Sequence, residues 1–131
     1  MAIRIVQLGS ARHPTEGLRI GTVRRPPRGV PKSEFAKRDY YDTWLPELSP
    51  SLDLMKKGLV AQKTGDAKAW AAFERGFRVQ MKQPEAARTL DLLAALSHQT
   101  NFSLGCYCND ERRCHRSILR ALLAERKAAL T

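Results

Sequence analysis

The feature that most constrains this chain is a short segment in which an apolar run gives way to clustered cysteines and then to a helical pattern. Residues 101–105 are short and apolar enough for a buried strand, and residues 117–127 are typical of a helix. The run 106–116 between them contains all three cysteines, one of three histidines and three arginines. Because ligands in open α/β sheets bind at the carboxyl ends of strands, this turn is the expected functional site.

The strand-like segments of the chain predict a small sheet. Residues 3–8 and 18–24 join residues 101–107 as candidate strands. The prolines and glycine of residues 24–31 predict a rigid, extended turn after the second of them. Several helices separate the strands in sequence. We therefore predict one layered α/β domain, residues 1–131, with a small, mostly parallel sheet covered by helices.

Helical spacing predicts the elements that cover this sheet. Residues 66–82 have apolar side chains at three- and four-residue intervals, and Pro84 begins the next helix. Shorter helical pieces are expected at residues 33–40 and 50–57, with Gly58 ending the latter. The expected core positions are Ala69, Trp70, Phe73, Phe77, Met81, Leu90, Leu93, Ala94, Leu96, Ile118, Leu119, Leu122 and Leu123, with Trp44 and Leu45 as further anchors.

Charge and cysteine content limit the classes of partner. A net charge of +10 favours anions, which include nucleic acid and phosphorylated or nucleotide-like small molecules, although scattered basic residues also serve only to solvate a surface. Three clustered cysteines do not suit a disulfide framework, so a cytoplasmic location is expected. No signal peptide is recognisable, and no apolar run approaches the roughly 20 residues that span a bilayer, so no membrane partner is expected.

Metal binding is one interpretation of the cysteine run. Cys106, Cys108, Cys114 and His115 are the residue types that bind zinc, in the pattern C-x-C-x5-C-H. Structural zinc sites usually use more widely spaced pairs, and adjacent residues on a helix point in different directions. The sequence therefore assigns no metal ligand and identifies no cofactor, and zinc stays an alternative.

Thiol chemistry is a second interpretation. A cysteine near a helix N-terminus and beside cationic side chains has a lowered pKa and more reactive thiolate. Cys106 to Arg112 matches C-x5-R, the spacing with which cysteine phosphatases surround a phosphate, but the usual glycines are missing. Cys106 and Cys108 also suit a redox pair. A buried, purely structural thiol is the alternative for each cysteine.

Anion binding is the third interpretation. Helix N-termini attract anions, and Arg112, Arg113 and Arg116 lie where the last helix is expected to begin. Asp110 is the expected N-cap. His115 changes charge near neutral pH, so it suits an acid, a base or a donor to the anion.

Several motifs taken together resemble the domain of unknown function 488 family, including its YeaO-like branch. They are Val23-Arg24 with Pro27-Arg28-Gly29-Val30, then Trp44, Leu48, Pro50 and Ser51, then Trp70, Phe73 and Phe77, and finally Cys114-His115-Arg116-Ser117. The resemblance implies an α/β fold and names no activity. Longer relatives often carry an acid at the position of Cys108, and YeaO-like relatives often lack the cysteines. A mechanism that needs all three thiols would therefore belong to one branch.

A site can be assembled from these residues if the strands before Arg24 and Cys106 are parallel neighbours. Cys106 and His115 are the predicted catalytic residues. The predicted ligand-binding residues are Arg24, Arg28, Cys108, Asp110, Cys114 and Arg116, which Ser10 and His13 are expected to join. The functions left open are an enzyme or binding domain for a phosphorylated or nucleotide-like anion, a basic nucleic-acid-binding accessory protein, and a zinc-binding or thiol-redox module.

Overall fold

Four strands and four α-helices make up the fold. In the computed structural model, which describes residues 1–131, the strands are β1 (Ile3–Gln7), β2 (Leu18–Gly21), β3 (Thr43–Trp44) and β4 (Phe102–Cys106). The helices are α1 (Leu52–Thr64), α2 (Ala67–Met81), α3 (Pro84–Leu96) and α4 (His115–Glu125). Short 3-10 turns lie at Lys32–Glu34, Pro46–Leu48 and Glu111–Arg113. None of the helices combines the length and the hydrophobicity that crossing a membrane would require.

The sheet is parallel throughout, in the order β1-β4-β2-β3. Its central strand β4 is buried at all five positions, as its apolar sequence predicts. β2 lies directly beside β4, with Gly21 opposite Gly105, so the carboxyl ends of these strands adjoin. The α/β class, the small parallel sheet and the predicted neighbourhood of the two strands are confirmed.

The main core lies where α2, α3 and α4 contact the sheet. Phe73, Phe77 and Met81 of α2 are buried in it, together with Ile118, Leu119, Leu122 and Leu123 of α4. Leu90, Leu93 and Ala94 of α3 are buried as predicted, whereas Leu96 is 37% exposed at the helix end. Trp44 is also exposed in part, so its prediction as a core anchor is wrong. Its indole Nε1 donates instead to the carbonyl of Val23, and Leu45 packs against the core.

Helix α1 is longer than its sequence suggests. Gly58 lies within it, where a Cβ atom would be 3.0–3.3 Å from the ring of Phe73. The missing side chain thus lets α2 pack closely against α1, and the tertiary contact outweighs the low helix propensity of glycine. The helix ends at Gly65, which has a φ of 69°.

Three other boundaries differ from the prediction. β2 ends at Gly21 rather than at residue 24, since the chain leaves the sheet before the proline-rich turn. Residues 33–40 form only a 3-10 turn at Lys32–Glu34 followed by further turns. α4 begins at His115, two residues earlier than predicted.

Candidate functional site

A cavity of about 280 Å³ opens at the carboxyl ends of β2 and β4. One wall comes from the segments that follow these strands, and the opposite wall comes from α1. The lining residues central to its chemistry are Arg24, Arg25, Cys106, Cys108, Cys114 and His115. Apolar contacts come from Val23, Met55, Leu59 and Phe73, and most of the wall is apolar. The cavity therefore lies at the edge of the sheet where α/β folds place ligands.

The three thiols converge at the inner end of this cavity. Cys106 ends β4, and its Sγ lies 3.8 Å from Sγ of Cys108. Cys114 has an extended backbone, with φ −120° and ψ 152°, because it is the N-cap of α4 and not part of the helix. Its Sγ lies 3.7 Å from Nδ1 of His115, so the prediction that these two side chains diverge is wrong. All three cysteines are free.

His115 is fixed by a hydrogen bond to the segment after β2. Its Nε2 lies 2.7 Å from the carbonyl oxygen of Thr22, which can only accept, so Nε2 carries the proton. The ring packs edge-on against Phe77. Burial lowers the pKa of His115 to about 4, so the imidazole is neutral at pH 7. It presents Nδ1 as a lone pair and has no proton to donate to an anion in the cavity.

The two buried thiols favour opposite protonation states: Cys114 favours the thiolate, and Cys106 keeps its proton. Hydrogen bonds from Cys106 and Cys108 outweigh burial at Cys114, and with the donors of Arg116 they lower its pKa. The same hydrogen bonds to Cys108 and Cys114, reinforced by burial, raise the pKa of Cys106. The negative charge of the cluster therefore centres on Cys114, at the N-terminus of α4.

Two of the predicted arginines shape the walls of the site. Arg24 donates through Nε and Nη2 to the carbonyl of Pro50, at 3.1 and 3.0 Å, and through Nη2 to that of Ser49. Arg116 is 4% exposed and donates to the carbonyl of Cys108 at 2.6 Å and to Sγ of Cys114 at 3.5 Å. Arg24 lines the cavity, whereas Arg116 supports the thiols from behind.

The structure does not bring the remaining predicted residues into the cavity. Arg28 is exposed in the proline-rich turn and is not among the lining residues. Asp110 caps the 3-10 turn at residues 111–113 and not α4, and it pairs with the exposed Arg112. Ser10 bonds to the carbonyl of Gln7, and His13 contacts Thr15. The three arginines expected at the start of the last helix also have separate partners: Arg112 pairs with Asp110, Arg113 lies over the ring of Trp70, and Arg116 donates to the Cys108 carbonyl.

Sequence reasoning missed three contributors. Arg25 lies exposed at the cavity, and its guanidinium has no hydrogen-bond or ion-pair partner. Gln62 donates to the carbonyl of Arg113 at 2.6 Å and to Sγ of Cys108 at 3.5 Å. It was missed because α1 was expected to end at Gly58. Thr22 carried a usable signal, since it is a hydroxyl-bearing residue near the end of the candidate strand 18–24.

The fold and the site together define an α/β protein with a Cys/His cluster at the carboxyl edge of a parallel sheet. A family model described as the active DUF488-N3 subclade matches residues 3–127. The chain belongs to the DUF488 family, as its sequence motifs indicate. Neither a curated protein nor a solved structure matches it.

Proposed function

We propose that this DUF488 protein is an enzyme that binds a small phosphorylated or nucleotide-like anion in the cavity between the strand ends and α1. One observation carries the proposal. A single cavity has thiols and an imidazole at its inner end, apolar walls, and the unpaired guanidinium of Arg25 beside it. Small-molecule sites commonly combine apolar walls with a few convergent polar groups in this way.

The cavity has separate places for the two parts of such a ligand. A weakly polar body suits the apolar walls that Met55, Leu59 and Phe73 supply. The anionic group suits Arg25, which is free to donate because its guanidinium has no intramolecular partner. Arg24 is less available, since the Ser49 and Pro50 carbonyls already accept from it. A charge-assisted hydrogen bond is worth about 1.5–3 kcal/mol.

The reacting part of the ligand is assigned to the inner end of the cavity. Cys106 and His115 are the proposed catalytic residues, and the geometry adds Cys114 to them. The ligand atoms of these three side chains lie within 4.8 Å of one another. The hydrogen bond to the Thr22 carbonyl keeps the proton on Nε2 of His115, so Nδ1 carries a lone pair. The proposed role of Nδ1 is to accept a proton or a hydrogen bond from the bound molecule.

Calorimetric titration tests the binding step. Nucleoside monophosphates, the matching nucleosides and simple phosphate esters are titrated into the wild type, Arg25→Ala and Arg88→Ala. Arg88 is exposed on α3, away from the cavity, and provides the matched loss of charge. We expect phosphate-bearing ligands to bind and Arg25→Ala to weaken them about 10- to 100-fold, with Arg88→Ala unchanged. Equal affinities in all three proteins would contradict the proposal.

Salt dependence separates this function from nucleic-acid binding, which the net charge of +10 also favours. A single phosphate contact gives a shallow dependence, whereas an oligonucleotide that neutralises several basic residues loses affinity steeply through counterion release. Turnover is followed by chromatography of each bound compound. Tight, strongly salt-dependent oligonucleotide binding without small-molecule binding would favour the nucleic-acid function instead.

A further inference from the structure

We infer that Cys106, Cys108, Cys114 and Nδ1 of His115 bind one zinc ion at the inner end of the cavity. Anion binding by Arg25 does not depend on the ion, but with zinc bound Cys106, Cys114 and Nδ1 of His115 act as its ligands, so the reactive role proposed for them above passes to the metal. The inference rests on the convergence of the four side chains, which gives the zinc alternative of the sequence a specific site. The strand end supplies Cys106, the loop supplies Cys108, and the extended N-cap of α4 turns Cys114 toward His115.

Two of the six separations between these atoms match those of a tetrahedral zinc site. Bonds of about 2.3 Å to sulfur and about 2.0–2.1 Å to nitrogen place two sulfurs about 3.8 Å apart, and a sulfur and a nitrogen about 3.6 Å apart. The corresponding separations here are 3.8 Å between Cys106 and Cys108 and 3.7 Å between Cys114 and His115. The ligand atoms of Cys106, Cys114 and His115 also lie mutually within 4.8 Å.

The imidazole is prepared for a metal by its hydrogen bond on the opposite side. A histidine that binds zinc usually donates its other N–H to a carbonyl or carboxylate, which fixes its tautomer and orientation. Nε2 of His115 donates to the Thr22 carbonyl at 2.7 Å, so the lone pair is on Nδ1, next to Cys114. The Thr22 hydroxyl, 3.2 Å from the same Nε2, is itself held by the carbonyl of Gly105.

The sulfurs have the supporting donors that zinc thiolates need. Nε of Arg116 donates to Cys114, and Nε2 of Gln62 donates to Cys108, both at 3.5 Å. Three thiolates around Zn²⁺ leave one net negative charge, which the guanidinium of Arg116 offsets. The thiol protons go to solvent when the metal binds.

The position of the site gives the ion a role in the cavity. All four ligands line the cavity, and Cys108 is the most exposed of the three cysteines. Three ligands come from buried residues, and the fourth, Cys108, faces the cavity. With all four bound the tetrahedral ion is closed, and an open position of the catalytic type arises only when Cys108 leaves it. In that state zinc would polarise an oxygen of the small molecule bound in the cavity.

Metal analysis of the full-length, untagged protein tests the inference. Cells are grown with added zinc, and the purified protein is analysed by mass spectrometry for metals after gel filtration. We expect about one zinc per chain. Removal of the ion with a chelator should lower the melting temperature, because the metal binds only the folded state.

Cobalt titration of the chelator-treated protein is the decisive measurement. We expect thiolate-to-cobalt charge-transfer absorption that saturates at about one ion per chain. His115→Ala and Cys114→Ser should abolish this saturable absorption, and His13→Ala, at an exposed histidine outside the cluster, should preserve it. If the cluster variants do not fold, the wild type alone decides. A folded wild type that retains no zinc and gives no charge-transfer absorption overturns the inference, and calorimetric binding of nucleotides would still stand on its own.

Discussion

Nε2 of His115 lies 2.7 Å from the carbonyl oxygen of Thr22, so the first residue of α4 is bonded to the residue that follows β2. The Thr22 hydroxyl donates in turn to the carbonyl of Gly105 in β4. Two strands and a helix thus meet in one buried hydrogen-bond network. The orientation of the imidazole, and with it the use of Nδ1, depends on this network.

Thr22→Val tests the contribution of the hydroxyl. Valine keeps the branched shape and the backbone carbonyl but removes the hydrogen bond to Gly105, whose carbonyl still accepts from the Thr22 backbone N–H. We expect the free energy of unfolding to fall by about 0.5–1.5 kcal/mol, measured by urea denaturation. Thr43→Val, at an exposed position in β3, should change it little. Equal effects of the two substitutions would show that the Thr22 hydroxyl adds nothing.

Tyr41→Phe is expected to stabilise the protein. The Tyr41 hydroxyl is buried without a hydrogen-bond partner, and burial raises the pKa of this tyrosine, so the group stays protonated and unpaired. Removing it should raise the free energy of unfolding by about 1 kcal/mol. Tyr107→Phe provides the contrast, because its hydroxyl donates to the carbonyl of Arg25 at 2.9 Å. Thermal melts that show a loss of stability for Tyr41→Phe would contradict this account.

Acid sensitivity should centre on the buried pair of Glu16 and Arg19. Burial opposes ionisation of Glu16, but hydrogen bonds from Arg19 and Ser103 outweigh it and lower the pKa of Glu16 to about 2. A carboxylate whose pKa is depressed on folding contributes stability above its ordinary pKa of about 4.5. That contribution is lost as the pH falls from 4.5 towards 2.

Glu16→Gln separates this pair from other acid effects. It leaves the Arg19 guanidinium buried without its carboxylate, so we expect a loss of about 3–5 kcal/mol at pH 7. The fall in stability between pH 4.5 and 2 should become shallower in the variant, as followed by denaturation at several pH values. Glu34→Gln, which breaks an exposed pair with Arg38, should cost less than about 1 kcal/mol. An unchanged acid profile in Glu16→Gln would contradict the assignment.

The fold was predictable where local pattern and tertiary packing agree. The spacing of Phe73, Phe77 and Met81 predicts α2 and its buried face, and the apolar run before Cys106 predicts the central strand. Gly58 was misinterpreted because its role is a close approach to Phe73, and no local pattern encodes contact between two helices. The proline-rich turn was recognised, but sequence gives no sign that the chain leaves the sheet at Gly21.

The position of the Cys/His cluster at the strand ends could be predicted from the sequence, but its geometry could not. In a parallel sheet the carboxyl ends of neighbouring strands lie side by side. The proximity of Arg24 to Cys106 could therefore be predicted from the sequence. The direction of the Cys114 side chain could not, since it depends on an extended N-cap set by the loop before α4. The surroundings of Arg116 were not predictable for a similar reason. The sequence predicts it as a ligand for an anion, and in the structure its buried guanidinium donates to the carbonyl of Cys108.

Arg116→Lys tests whether this guanidinium holds the loop that carries the thiols. Its fork donates to the carbonyl of Cys108 and to Sγ of Cys114 at the same time, a geometry that a lysine ammonium on a flexible stem does not reproduce. We expect a loss of about 1–3 kcal/mol in the free energy of unfolding, and faster modification of Cys108 by a thiol reagent in the folded state. Arg112→Lys in the same loop is the control, because Arg112 is 90% exposed and pairs only with Asp110. If both variants behave like the wild type, the two hydrogen bonds of Arg116 do not hold the loop, and the Gln62 contact to the Arg113 carbonyl holds it instead. The thiol cluster then needs only a positive charge at residue 116.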